Sequence, residues 1–454
     1  MQNLKTFFYF SAITALTIFL VNADHIKSIR QLKRVYAQTS EDSKEIYKSK
    51  IHAVYNPLDQ SYIVTDELKK QIELENNFDS SDSTWPIISL RVDPRDLYSN
   101  ERGIIKNDQK RGRLWERPAH ITYYKNGNAV FNSMIGIRLH GGTSRDGNDP
   151  KSFRAYFRKG YQKKSFYNKE SLTLKENSPI KRLVLRFDKR YHFSHDLTYK
   201  IINKLGGLAP KLQHVALFLN GQLYGHYHMT EHQSEFQLEK NLGHSNFLFY
   251  KLKSNNDTTS HLLYEKAIDQ VRYASSPISY TEMNQLFNLD NFTAQMATTI
   301  FTGMTDWAQG FVFKDLSQQI PRWEWVTWDH DNAFFLDRAR LKLKSDTKFW
   351  ESPGFKIANE FHTGSLRSFL FRRLLSESDE FQRKLVRKIG DIFELLYQSN
   401  FFQDQLIHYK SLAGNSNKMN KDINRIKTFI KHRKAFLCQE SLEYLKYPIE
   451  GCNE

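Results

Sequence analysis

A chain of 454 residues with 40% hydrophobic and 14% aromatic side chains is long enough for two or three folding units and too apolar to be an intrinsically disordered protein. It has no short internal repeat, which excludes a solenoid. Its formal charge of +16 is spread along the chain rather than gathered in one tail, which speaks against a dedicated nucleic-acid arm. Excess positive charge favours an anionic partner such as a nucleotide, nucleic acid, a membrane headgroup or an acidic protein, although solvated surface lysines and arginines account for most basic chains.

The chain begins with a short positive start, "MQNLK", an apolar run, "TFFYFSAITALTIFLV", and small residues before Asp24. This pattern predicts a secretory signal over residues 1–23, cleaved after Ala23, with an uncleaved membrane anchor as the competing reading. Residues 24–85 read as a polar, partly helical arm with little core of its own. From "WPIISLRVD" onward, short alternating segments predict a strand-rich unit over residues 86–230. Asn126-Gly127 and Asn220-Gly221 mark two hairpin turns within it. In "KSFRAYFRK", Phe153, Ala155 and Phe157 fall on one face and Arg154, Tyr156 and Arg158 on the other. A helix is expected at "SHDLTYKIINKLGG", and the chain beyond Arg340 is mostly helical. Residues 231–454 form the second unit, so the expected class is α+β with two lobes.

The stretch from Thr305 to Asp331 holds four tryptophans and ends in two aspartates around His330. "FVFKDL" and "WEWVTW" are strand-like, with "SQQIPR" as the turn between them. A hairpin there brings Asp306 close to Asp329 and Asp331. If residues 329–331 are extended, alternation points both aspartates one way and His330 the other. Carboxylates gathered beside aromatic surface require a divalent cation or a basic partner. The plainer reading is that Asp306 caps a turn and Asp329 meets a nearby arginine.

Other segments bear on the same question. "RLHGGTSRDGNDPK" offers Gly141 and Gly142, whose backbone N–H groups could meet phosphate oxygens, yet it lacks the lysine and hydroxyl of a Walker loop. Lys151 and Arg154, on or beside the next strand, could meet phosphates; a solvated basic strand face is the plainer reading. Glu231 ends the second NG hairpin and leads into a helix. Lys251 ends an apolar strand. The histidines of "HYHMTEH" and "HFSH" have metal-like spacing but no accompanying acid motif, so a zinc site is not expected. No G-x-S-x-G elbow is present for a serine hydrolase. Cys438 and Cys452 could close one short loop.

Taken in order, "WPIISLRVDPRDLYSNERGI", "WERPAHITYY", "GIRLHGGTSRDGNDPKSFRAYFRKGYQ", "FDKRYHFSHDLTYKIINKLGGLAPKLQHVALFLNGQLYGHYHMTEH", "TDWAQG", "WEWVTWDHDNAF" and "IKTFIKHRKAFL" resemble the CotH kinase family, named for spore coat protein H, across about residues 86–435. The resemblance implies an atypical protein-kinase-like fold and transfer of the ATP γ-phosphoryl group to Ser/Thr of secreted, envelope or coat proteins, with Mg²⁺ or Mn²⁺. It makes Asp306 the catalytic residue and Asp329 the metal ligand, with Asp331 as helper. It assigns Lys151 and Arg154 to the phosphates and Glu231 to the nucleotide, beside the phosphate contacts that Gly141 and Gly142 offer on their own composition. Neither nucleic acid nor a membrane, beyond an N-terminal anchor, is an expected partner. The family usually shows asparagine after "TDW"; here Gln309 and Gly310 occupy that region. Gln309 can still offer a carbonyl oxygen to a metal, but its longer side chain loses more entropy. A weak kinase or a pseudokinase serving as an assembly protein therefore stands beside the active enzyme as a second expectation.

Overall fold

The computed structural model describes residues 65–77, 85–147, 150–162, 165–166, 178–187, 193–252, 258–360, 362 and 365–452. The expected signal segment lies outside them. Helix α1 (Asp66–Glu73) precedes strand β1 (Ile87–Val92) and the short helix α2 (Pro94–Tyr98). Then come β2 (Arg117–Lys125), β3 (Asn128–Leu139), β4 (Phe153–Tyr156) and β5 (Arg182–Phe187). Helix α3 (Ser194–Lys204) separates these from the hairpin β6 (Leu212–Leu219) and β7 (Gln222–Glu231).

The seven strands close into a barrel in the order β1-β2-β3-β4-β5-β7-β6. All pairings are antiparallel except the β1–β6 seam, which is parallel. Sequence alternation predicts strands but not closure, because closure depends on how β1 and β6 meet across more than a hundred residues. Both NG turns form as expected, with positive φ at Asn126, Gly127, Asn220 and Gly221, the backbone that a two-residue hairpin requires. Period-two patterning fills the barrel with Ile88, Leu90, Ile121, Ile137, Phe153, Ala155, Leu183, Leu185, Val215 and Met229. The alternate residues of β3, β4, β5 and β7, including Arg138, Arg154, Arg182, Arg186, His228 and Thr230, must therefore face outward.

The rest of the chain is mainly helical: α4 (Glu235–Leu242), α5 (Thr259–Tyr273), α6 (Tyr280–Leu286), α7 (Leu289–Thr302), α8 (Arg338–Leu341), α9 (Gly354–Glu360), α10 (Leu366–Glu377), α11 (Asp379–Phe393), α12 (Phe401–Ala413) and α13 (Asn417–Tyr444). Within it, β8 (Phe247–Lys251), β9 (Gly310–Asp315) and β10 (Trp323–Thr327) form a second sheet in the order β10-β9-β8. The α+β class expected from sequence is what the chain forms, strand-rich first and helical second. One large apolar core joins the helices to residues on the outside of the barrel such as Ile87, Tyr124 and Ala216, while α3 contributes Leu197 and Ile201.

Helix α7 lies at the centre of this core, and every one of its residues except Asp290 is buried. Its polar side chains complete the open edge of β10. Asn291 accepts from the Trp325 N–H at 2.9 Å and donates to the Trp325 carbonyl at 3.1 Å. The far end of α7 is sealed by Arg433 of α13. This fully buried guanidinium donates to the carbonyls of Ile300 and Phe301, both at 2.7 Å, satisfying acceptors that a helix terminus leaves unmet. At the C-terminal end, Cys438 and Cys452 are joined in a disulfide with a Cα–Cα distance of 5.6 Å. Among the described residues, no helix is long and apolar enough to cross a membrane.

Candidate active site

The β9–β10 hairpin forms in the expected register, with Gly310 opposite Thr327. Asp306 lies just before β9, in the turn after α7, and Asp329 lies just after β10. Gln309 links them: its amide nitrogen donates to Asp306 Oδ2 at 2.7 Å and to Asp329 Oδ2 at 2.9 Å. Hairpin closure thus brings the two carboxylates together, as their spacing suggested. In this arrangement, however, Gln309 turns its donors, not its carbonyl oxygen, toward both acids.

Asp329 and Asp331 do meet on one side, though not by strand alternation. Asp329 has a φ of 68°, a left-handed conformation that aspartate tolerates better than most residues. Two bonds from α3 hold this bend: the Asp329 N–H donates to Tyr199 Oη at 3.1 Å, and the His330 N–H donates to His195 Nδ1 at 3.2 Å. Both aspartates then reach Arg186 of β5, Asp329 at 2.6 Å and Asp331 at 3.1 Å. The plainer sequence reading, in which Asp329 meets an arginine, thus holds together with the clustering. Burial by itself would raise the Asp329 pKa, but the Arg186 guanidinium and the Gln309 amide outweigh it and hold the group below the usual carboxylate range.

His195 also belongs here. One ligand atom from each of His195, Asp329 and Asp331 can lie within 4.8 Å of the others. The guanidinium between the two carboxylates occupies the kind of position a cation would take, so the residues fit a hard divalent ion. The Nδ1 atom of His195 already accepts the His330 N–H, so the neutral ring carries its proton on Nε2. The carboxylates are therefore the readier ligands.

A cavity of about 130 Å³ opens beside this cluster, against the outer face of β4, β5 and β7. Val184, Pro210, Leu212 and Trp328 give it apolar walls, and Arg154, Arg186 and Lys251 supply positive charge. Apolar walls with a few convergent charged groups are the mixture found in small-molecule sites. His140, also in the wall, has its pKa pushed down to about 3 by burial and by Arg154, Arg186 and Arg145. Glu231 lines the cavity, but it is buried and its oxygens accept from Gln233 at 3.0 Å and from Asn241 at 3.3 Å. A second hollow, of about 460 Å³, is bordered by Tyr250, Tyr264, Ala308 and His362. His362 Nε2 lies 3.8 Å from Asp306 Oδ1 and bonds the Thr305 carbonyl at 2.8 Å.

The glycine loop is placed elsewhere. Lys151 is buried, and its ammonium is bound to Asp108 at 2.8 Å, to the Gly147 carbonyl at 2.9 Å and to the Arg145 carbonyl. Gly141 has a φ of 106°, and its carbonyl accepts from Arg145 at 2.9 Å. Neither Lys151, Gly141 nor Gly142 is in the cavity wall; of the proposed phosphate contacts, Arg154 is. Sequence reasoning did not single out Arg186, His140 or the pairing of His195 with the aspartates. Alternation along "RLVLRF" does put Arg186 on the outer face, but it gives no sign of what that face meets.

No curated protein matches the chain. The family model described as CotH kinase protein matches residues 137–446, which spans β4 to the end of α13 and includes both aspartate positions and the cavity. With more than half of its length matched, this chain belongs to the CotH kinase family.

Proposed function

We propose that the protein is an exported, metal-dependent kinase that transfers the ATP γ-phosphoryl group to Ser or Thr hydroxyls of secreted, envelope or coat proteins. The observation that carries this reading is that Asp329, in the wall of a cavity rich in basic side chains, is joined to Asp306 through Gln309 and to Asp331 through Arg186. The base would lie between Val184, Leu212 and Trp328, with its phosphates toward Arg154, Arg186 and the aspartates. Asp329 and Asp331 would hold Mg²⁺ or Mn²⁺, which when bound offsets the charge of the phosphates. Asp306 would orient the acceptor hydroxyl and take its proton, with the hydroxyl arriving from the hollow on the His362 side. His362 donates its Nε2–H toward the Thr305 carbonyl and so keeps Asp306 in place. The disulfide is compatible with export, since such bonds persist mainly in oxidising compartments.

A second reading, a nucleotide-binding assembly protein without turnover, draws on Gln309. Its donors, rather than an oxygen, face the acids. Incubation with labelled ATP and Mn²⁺ or Mg²⁺, beside Asp306→Ala and Asp329→Ala, decides between the two. An active kinase transfers label only as wild type, and Asp306→Ala retains metal-dependent stabilisation by ATP. Equal and negligible transfer by all three, with ATP stabilisation of the wild type, leaves the assembly reading. Absence of both transfer and stabilisation sinks both.

A further inference from the structure

Four guanidinium groups gather outside the barrel around one aromatic ring. Arg138, Arg158 and Arg182 lie 4.5, 4.7 and 5.9 Å from the Tyr156 ring centroid. Arg154 reaches the Tyr156 hydroxyl at 3.4 Å. The register explains much of the gathering: Arg138 is opposite Arg154, and Tyr156 is opposite Arg182, so these four side chains project from the same face, and Arg158 follows two residues beyond the end of β4. Among the described residues, Glu116 is the carboxylate paired with any of the four; it bonds Arg138 at 2.6 Å and Arg158 at 2.9 Å. Arg182 has no carboxylate partner among them. It rests instead near the ring of Phe236, 5.7 Å away, beside Lys240 at 5.2 Å.

Such crowding of like charge is unfavourable in a half-buried place. Burial and the neighbouring Arg158, Arg154 and Arg138 lower the Arg182 pKa, with Tyr156 opposing them. Among the described residues, one glutamate faces four cations. Cation–π contact with Tyr156 holds the planar groups in place before any ligand arrives. Planar forks already fixed at short range suit the several oxygens of a phosphoryl group better than a single carboxylate, and a dianion offsets more of the excess. Of the four, Arg154 alone lines the cavity beside Asp329, so the cluster extends beyond that site.

We propose that the outer face of β3–β5 carries a second phosphoryl-recognition site, formed by Arg138, Arg158 and Arg182 around Tyr156, distinct from the nucleotide cavity. It takes a phosphate group, whether borne on a phosphorylated serine or threonine segment of a protein or free as inorganic phosphate. Its position beside the cavity means that an acceptor already phosphorylated once would be held close to the transfer site. The site does not depend on turnover and stands or falls separately from the kinase reading.

The test is calorimetric titration of the full chain, with a non-hydrolysable ATP analogue and Mg²⁺ at saturation so that no transfer occurs, using three probes: a short peptide carrying one phosphoserine, its unphosphorylated twin, and inorganic phosphate. The phosphopeptide is expected to bind about tenfold or more tightly than its twin. Competition by inorganic phosphate at similar affinity identifies a small-anion site, whereas a much weaker effect identifies the phosphorylated segment as the ligand. Arg182→Gln, which keeps the stem against Phe236, is expected to weaken phosphopeptide binding about fivefold or more while leaving ATP affinity unchanged. Equal binding of the two peptides overturns the proposal. So does phosphopeptide binding that disappears when ATP is saturating, because the anion then belongs in the nucleotide cavity. The wild-type comparison decides even if the variant does not fold.

Discussion

Arg186 is the residue on which the candidate site turns. Its guanidinium separates two carboxylates that would otherwise repel each other, and it faces the cavity that the phosphates of a nucleotide would enter. Replacing it with glutamine leaves both acids without their counter-charge. In the presence of a chelator, Arg186→Gln is expected to lower stability by about 1–2 kcal/mol, because the pair is neither fully exposed nor fully buried. Mn²⁺ should then restore more stability to the variant than it adds to the wild type. Melting curves with and without the ion check this; an equal gain in both proteins would show that the ion binds away from these acids. Asp306, Asp329 and Asp331 were legible as a cluster because a hairpin joins residues that flank it. Arg186 and His195 were not, because the contacts that enlist them cross from the barrel and from α3 to the hairpin end.

At the scale of elements, the hairpin β9–β10 places the chemistry and α7 places the hairpin. Gly310, the first residue of β9, has a φ of 151°, and a Cβ there would come within 2.3 Å of the Val326 carbonyl oxygen. Gly310→Ala must therefore push β10 away from the turn that bears Asp306 and Gln309. It is expected to cost about 2 kcal/mol, within the range for overpacked sites. It should also weaken metal-dependent ATP binding, measured by thermal shift; a variant with wild-type stability would show that the strand pair gives way freely. The hairpin, both NG turns and the helical second half were readable from short-range patterns, since each is set by neighbours in sequence. The glycine loop shows the opposite case. "HGGTSRDGND" has the composition of a phosphate cradle, but Lys151 and Arg145 are bound to its own carbonyls. What a loop does with its glycines is decided by which cation closes it, and composition does not carry that information.

For the whole molecule, the junction of barrel and helices is rich in histidines kept neutral. His140 is held at about 3, and His232 well below its ordinary value, in both cases first by burial and then by neighbouring positive groups. The unfolded chain takes up protons at these rings as pH falls through about 6.5, while the folded protein does not. Stability is therefore highest above that value and declines below it, for His140 by about 1.4 kcal/mol per pH unit down to about pH 3, with His232 contributing in the same direction. Unfolding midpoints measured at pH 7, 6 and 5 should fall, and His140→Asn should flatten the decline by one proton's worth. A midpoint that stays level across this range would show that the rings accept protons in the fold. Barrel closure and the shared core were beyond sequence patterning, because both rest on seams between distant segments. Arg433 is such a seam, and it has a consequence for timing. Every acid of the candidate site is translated before the side chain that plugs the end of α7 exists. A nascent chain halted short of residue 433 should bind no nucleotide, and fluorescence titration of stalled chains would reveal any that does. The protein would thus remain silent inside its producing cell until residue 433 has been translated and folded.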